Sequence, residues 1–287
     1  MRFKAEIVGG HASSPAVRGA TSLDDAEFRM AVLCGVGGAM REIVYRYDSV
    51  TSTNDVAREL AEAGAEEGTT VVAAEQTAGR GRYARRWHSP RGEGLYHSIV
   101  LRPAVPPSRA PLLGLVAAVA LAETLREEYG VLADIKWPND VMLRGRKIAG
   151  ILMELETEED RVKYAILGVG VNLNQGSFPE EIADVATSLR RETGLTYDVE
   201  RFRSRFFARL QQWYETWQAE GEARVLERYE QLSSYVRGQW VNVLCGERRV
   251  RGRSCGLTPM GALLVETEDG RREAILTGEV TKLEIIG

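Results

Sequence analysis

Histidine and cysteine are scarce, three of each in 287 residues, and neither is arranged for chemistry. Cys34, Cys245 and Cys255 follow no CxxC or Cys/His ligand spacing, and His11, His88 and His97 make no metal-binding pattern. Free thiols in a reducing compartment are expected, with neither a protein-held zinc nor a histidine proton relay. Long apolar runs are missing too. The closest, Leu112 to Leu125, falls short of the ~20 residues of a membrane span and ends in Arg126-Glu127-Glu128. It reads as a buried helix. Without a charged start followed by an apolar core and a cleavage site, secretion is not expected and a cytoplasmic location is. The positive excess of a general nucleic-acid binder is also absent, since 37 Lys and Arg face 41 Asp and Glu for a net charge of -4.

What is present is a globular composition, 44% hydrophobic and 27% charged. The length suits one main domain with a smaller companion. Residues 1–40 carry no sustained periodicity and are expected to be a disordered extension. The pattern then predicts a strand over Ile43–Tyr47 and a helix capped by Asn54 and ended at Gly64. Strands are expected at Thr69–Glu75 and Leu95–Leu101, and a helix from Pro111 to about Tyr129. Ile135 leads into a Lys-Trp-Pro-Asn-Asp turn. A hairpin follows, Val141–Leu143 and Lys147–Leu155 about Arg144-Gly145, and then a strand over Arg161–Val171. Phe202, Phe206, Leu210, Trp213 and Trp217 recur at helical spacing and mark the core stripe of a long helix. From Gln239 onward, short strands alternate with glycine turns, Asp269-Gly270 being the clearest. An α+β domain over 41–235 with a small β-barrel over 236–287 is expected.

Three segments carry candidate chemistry. Gly79-Arg80-Gly81-Arg82-Tyr83-Ala84-Arg85-Arg86-Trp87 combines glycines that let backbone approach a ligand with forked guanidinium donors suited to phosphate and carboxylate oxygens. By itself it is also compatible with a solvated basic loop. Lys136 stands at a strand end before Trp137-Pro138-Asn139-Asp140, where it could neutralise an anion or simply be a surface lysine. Gly168-Val169-Gly170 with Asn172 could pass close to something flat, or could be a packing feature. Ser52-Thr53-Asn54 could bind a polar ligand or cap the following helix.

Taken together and in this order, these segments resemble the biotin protein ligases, the enzymes that attach biotin to carrier proteins. The resemblance spans residues 43 to 285. It includes Gln76-Thr77-Ala78, Lys147-Ile148-Ala149-Gly150-Ile151-Leu152, Gly261-Ala262-Leu263-Leu264-Val265 and Gly278-Glu279-Val280. It implies a mixed β-sheet catalytic domain flanked by helices, of the class II synthetase kind, with an SH3-like barrel behind it. The implied reaction activates biotin with Mg2+ and ATP as biotinyl-5'-AMP, then transfers it to a lysine of a biotin carboxyl carrier protein.

Carried over onto this sequence, the resemblance implies that Ser52, Thr53, Asn54, Gln76, Gly79, Arg80, Gly81, Arg82, Lys136, Gly150 and Ile151 contact biotin. Arg82, Arg85, Trp87, Lys136 and Asn172 would contact ATP, with magnesium held mainly by the phosphates and near Asn172. Lys136, Arg80 and Arg82 would act directly in the reaction. The family's loop usually has a third glycine where this chain has Ala84, which makes a positive φ costly there. Longer members carry a DNA-binding domain that residues 1–40 do not resemble, so a ligase without DNA binding is expected, as monomer or homodimer. A lipoate or octanoate ligase relative is the alternative within the fold. A nucleic-acid regulator using Arg248, Arg249, Arg251 and Arg253 is the alternative outside it.

Overall fold

The computed structural model describes residues 40–283 and the backbone of residues 31–33. The expected extension therefore lies outside the described residues except at Ala31–Leu33, where a short strand, β1, pairs antiparallel with β2. Chain order then gives β2 (Glu42–Val50), α1 (Thr53–Glu62), β3 (Thr69–Gln76), β4 (Gly94–Leu101), α2 (Leu112–Glu123), β5 (Ala133–Lys136), β6 (Asp140–Leu143), β7 (Arg146–Glu158) and β8 (Arg161–Asn172). These strands form one sheet in the order β1-β2-β3-β4-β8-β7-β6-β5. Only β2 and β3 run parallel, because α1 carries the chain back between them. The β6–β7 turn holds Arg144 at φ 48 and Gly145 at φ 77, the left-handed pair a two-residue hairpin requires.

Period-2 alternation sorts the two faces. Leu95, Ile99 and Leu101 of β4 and Ala165, Leu167, Val169 and Val171 of β8 point into the main core. There they meet α2 and the C-terminal helices α3 (Leu189–Thr193), α4 (Val199–Glu220) and α5 (Glu222–Leu232). Val100, Tyr164 and Ile166 point the other way and pack under Val56, Ala57, Leu60 and Ala61 of α1. The apolar segment Pro107–Glu128 is long enough to cross a membrane by composition, but α2 within it is apolar on all sides because it is core. Phe202, Phe206, Leu210 and Trp217 are buried as the α4 stripe predicts, and Asp198 caps that helix through Glu200 N and Arg201 N. Helix α5 had no expectation, its apolar positions Val225, Tyr229 and Leu232 being too few to stand out.

The C-terminal unit is a five-stranded antiparallel sheet in the order β12-β11-β10-β9-β13. Its strands are β9 (Arg237–Cys245), β10 (Arg248–Leu257), β11 (Leu263–Thr267), β12 (Arg272–Ile275) and β13 (Glu279–Lys282). Val241, Val243, Val250, Leu263, Val265 and Val280 join the main core rather than forming a separate one. Trp137 fastens the two units. It is 1% exposed and donates its indole N–H to Gly261 O at 3.0 Å. The lysine-bearing turn is thus built on the C-terminal sheet.

Candidate active site

On the α1 face of the sheet, Tyr96, Gly170, Gly150, Asp140 and Lys136 are successive partners across β4, β8, β7, β6 and β5. Ser98, Gly168 and Leu152 form the next row. The two β8 glycines leave room that other side chains occupy. A Cβ on Gly168 would lie 2.2 Å from Asn54 Oδ1, and one on Gly170 would lie 2.4 Å from Trp87 Nε1. The flat object over Gly170 is therefore the protein's own indole, and over Gly168 it is the Asn54 amide. The result is a cavity of about 250 Å³ with one polar end and one cationic end.

The polar end is set by the start of α1. Ser52 is the N-cap residue but makes no side-chain cap bond, so the expected cap by Asn54 does not form. Thr53 and Asn54 turn to the sheet instead. Asn54 Oδ1 and Thr53 Oγ1 both lie 2.7 Å from Ser98 Oγ. Gln76 Oε1 accepts from the Thr53 backbone N–H at 2.9 Å and from its hydroxyl at 3.1 Å, and Gln76 Nε2 donates to Ser89 Oγ. Asn54 is 4% exposed, and its Nδ2 has no partner among the described residues. A buried amide donor left open costs about 1–3 kcal/mol, which a ligand acceptor would recover.

The cationic end is formed by the arginine segment, which folds as a small hairpin. Trp87 N donates to Gly79 O at 2.9 Å, Gly81 N donates to Arg85 O at 2.7 Å, and Arg80 bridges Arg86. At its tip, Tyr83 and Ala84 both adopt φ 56. The tip lies on the C-terminal sheet: Arg82 donates to Thr277 Oγ1 at 2.6 Å, Gly278 O at 3.3 Å and Asn139 Oδ1 at 2.9 Å, and Arg85 pairs with Glu279 at 2.5 Å. Arg80, Arg82, Arg85, Arg86, Lys136 and Lys147 face the cavity against two carboxylates, Asp140 and Glu279. Both carboxylates are already paired, Asp140 with Lys147 at 2.6 Å. The side chains of Lys136 and Arg86 have no ion pair or hydrogen bond among the described residues.

Of the expected site residues, Ser52, Thr53, Asn54, Gln76, Arg80, Gly81, Arg82, Arg85, Trp87, Lys136, Gly150, Ile151 and Asn172 line the cavity. Gly79 does not. A Cβ there would lie 2.8 Å from Ser89 Oγ and 2.9 Å from Trp87 O, so its role is to let the hairpin base close. Ile151 offers backbone, because its side chain belongs to the core. Arg80 lines the wall, but its guanidinium is held by Asp55 at 2.5 and 2.7 Å and by Glu154 at 3.3 Å. The Asn172 amide is engaged at both ends, donating to Thr187 O and accepting from Gln175.

Lys147, Asn139, Asp140 and Glu279 are cavity residues that no site expectation included. All four belong to motifs on which the resemblance rests, and that position was the only signal. Phe178, Ile182 and Val185, which also line the cavity, carried no signal.

Residues 46–172 match the Biotin/lipoate A/B protein ligase family and residues 237–283 the Biotin protein ligase C terminal domain. The chain is 38% identical over 252 residues to a Bifunctional ligase/repressor BirA of Bacillus subtilis, covering 86% of this chain and 76% of that protein. It is 34% identical over 226 residues to a Biotin--[acetyl-CoA-carboxylase] ligase of Paracoccus denitrificans, covering 77% of this chain and 93% of the relative. Among solved structures, a biotin protein ligase from Aquifex aeolicus in complex with biotin and ATP aligns with a TM-score of 0.72 at 32% identity. That alignment covers 84% of this chain and 99% of the other. With the cavity built as described and both segments matched, this chain belongs to the biotin protein ligase family.

Proposed function

We propose that the two ends of the cavity divide the work of a biotin–protein ligase. The enzyme forms biotinyl-5'-AMP and transfers the biotinyl group to a carrier-protein lysine. The ureido ring of biotin, with its own donors and acceptors, suits the Thr53–Asn54–Gln76 cluster, and the open Asn54 Nδ2 is the donor waiting for it. The aliphatic tail then runs along the Trp87 indole, which itself covers Gly170 and the edge of Gly150, toward Lys136.

In the first half-reaction a carboxylate oxygen of biotin attacks the α-phosphorus of ATP. The bond to the bridging oxygen breaks, and pyrophosphate leaves. Lys136 neutralises charge on the reacting oxygens, while Arg82, Arg85 and Arg86 face the phosphates. In the second, the neutral ε-amine of the acceptor lysine attacks the acyl carbon. AMP leaves with the bonding pair of the anhydride C–O bond, and the amine loses its proton. No side chain of the enzyme is acylated, so catalysis is positioning and charge neutralisation. Magnesium would arrive with the nucleotide, held mainly by its phosphates. ATP supply makes the cytoplasm its place of work.

The observation that carries this reading is the unpaired Lys136 set opposite the open Asn54 amide in one cavity. Exchange of labelled pyrophosphate into ATP, run with biotin, lipoate and octanoate in parallel, tests it. Exchange with biotin alone is expected; exchange driven by lipoate or octanoate would move the acid specificity elsewhere in the fold. The regulator alternative gains nothing from the structure. Arg249, Arg251 and Arg253 lie on the exposed face of β10, and Arg248, exposed at the strand's start, is paired with Glu273.

A further inference from the structure

The arginine hairpin is fixed at its tip by the C-terminal sheet, yet its first arginine turns away from that contact. Arg80 lines both the cavity and a shallow depression formed with Asp55, Arg58, Glu154, Glu156 and Tyr164. Its Nη1 donates to Asp55 Oδ2 at 2.5 Å and its Nη2 to Asp55 Oδ1 at 2.7 Å, the parallel fork that suits a guanidinium–carboxylate pair. Nη2 also reaches Glu154 Oε1 at 3.3 Å. Three of the five N–H donors are therefore used on protein carboxylates. Arg58, one helical turn beyond Asp55, completes the cluster through Asp55 at 2.5 Å and Glu154 at 3.2 Å. The bonds from Arg80 hold the Asp55 carboxyl below its ordinary value, against the opposing effect of burial.

The placement of Asp55 gives this pair its consequence. Asp55 lies in the first turn of α1, next to Thr53 and Asn54, the residues assigned to the ureido ring. Arg80 lies between Gly79 and Gly81, whose flexibility would otherwise leave the hairpin base unset. One rigid turn of helix thus holds both the polar end of the cavity and the root of the hairpin.

We propose that Asp55 is a positioning residue which, by gripping Arg80, holds the Gly79–Trp87 hairpin over the cavity and governs how long the acyl-adenylate is retained. The proposal rests on the ligase reading. It makes Arg80 a pin for the hairpin rather than a ligand of phosphate.

The test follows release of labelled biotinyl-adenylate from the full-length enzyme after a single turnover, alongside KM for biotin and kcat for pyrophosphate exchange. Asp55→Asn keeps the shape but removes the charge, and is expected to release adenylate roughly five- to tenfold faster. KM for biotin rises with it, while kcat stays near the wild-type value because Lys136 and the tip arginines are untouched. Arg80→Met removes the same pair from the other side and leaves the acidic first turn of α1 intact. It should show the same defect, and the double variant should be no worse than either single one. Asp55→Glu should recover most of the retention, and Glu154→Gln should have a smaller effect of the same sign.

Wild-type retention in Asp55→Asn, additive defects in the double variant, or no recovery by Asp55→Glu would each overturn the proposal. A wild-type enzyme with no biotin-dependent exchange would instead overturn the ligase reading, and that result is known before any variant is made.

Discussion

Replacing Ala84 by glycine should make the enzyme hold its intermediate longer. Ala84 adopts φ 56 at the hairpin tip, in the left-handed region where a Cβ meets the following carbonyl oxygen. For a residue other than glycine this costs roughly 1–2 kcal/mol. Its neighbour Tyr83 has the same φ but has compensation: its hydroxyl accepts from Arg82 Nη2 at 2.8 Å, and the Arg82 guanidinium lies 4.9 Å from its ring centre. The exposed Ala84 methyl gains nothing comparable. Glycine removes the strain, but frees the open loop and returns about 0.4–1 kcal/mol of it as entropy. The net gain for the closed hairpin is about 0.5–1 kcal/mol, or roughly two- to fivefold in the closing equilibrium. Biotinyl-adenylate should therefore leave Ala84→Gly two to five times more slowly, as measured by transfer of preformed complex into excess unlabelled biotin and ATP. Release at or above the wild-type rate would refute the argument that the tip geometry limits closure.

Two further perturbations read other parts of the site. Gly168→Ala would put a methyl group 2.2 Å from Asn54 Oδ1 and force that amide off Ser98. KM for biotin should rise at least tenfold, with KM for ATP little changed; equal effects on both would contradict the division of the cavity. His97 is fully buried against Phe206, and desolvation, with Arg203 nearby, lowers its pKa from 6.5 to about 3. Arg46 adds to the lowering and Glu200 opposes it. Below its unfolded value, the unfolded chain binds a proton that the folded chain refuses. Stability thus falls as pH drops from about 6.5 toward 3, by about 2 kcal/mol between pH 7 and 5. Urea denaturation of wild type and His97→Met across that range should show a shallower decline in the variant, and parallel curves would exclude His97 as the cause.

Much of the catalytic unit could be read from local pattern because its signals are local. The α4 stripe follows from Phe202, Phe206, Leu210 and Trp217 at one helical spacing, and the Arg144-Gly145 turn follows from the φ values a hairpin requires. Ala84 is flagged without coordinates only by the resemblance, whose loop usually has a glycine at that position. What local pattern missed depends on partners distant in the chain. Nothing near Arg80 announces Asp55, 25 positions away, and nothing near Arg85 announces Glu279. Asn54 is compatible with a cap or a ligand contact by sequence, because Asn serves caps well; its choice of Ser98 depends on a strand 44 residues later. Gly168 and Gly170 signalled close approach correctly, but only the register reveals that Asn54 and Trp87 are what approaches.

Lys136 is where the account is most exposed. Like Arg86, it is a cavity cation whose side chain has no ion pair or hydrogen bond among the described residues, and it stands opposite Asp140 at the end of β5. Rapid-quench measurement of biotinyl-adenylate formation by Lys136→Ala, with biotin binding followed in parallel, isolates its contribution. The account predicts that biotin still binds while adenylate formation slows by about 10²–10³-fold. Formation within a fewfold of wild type would contradict it and place charge neutralisation on the arginines instead.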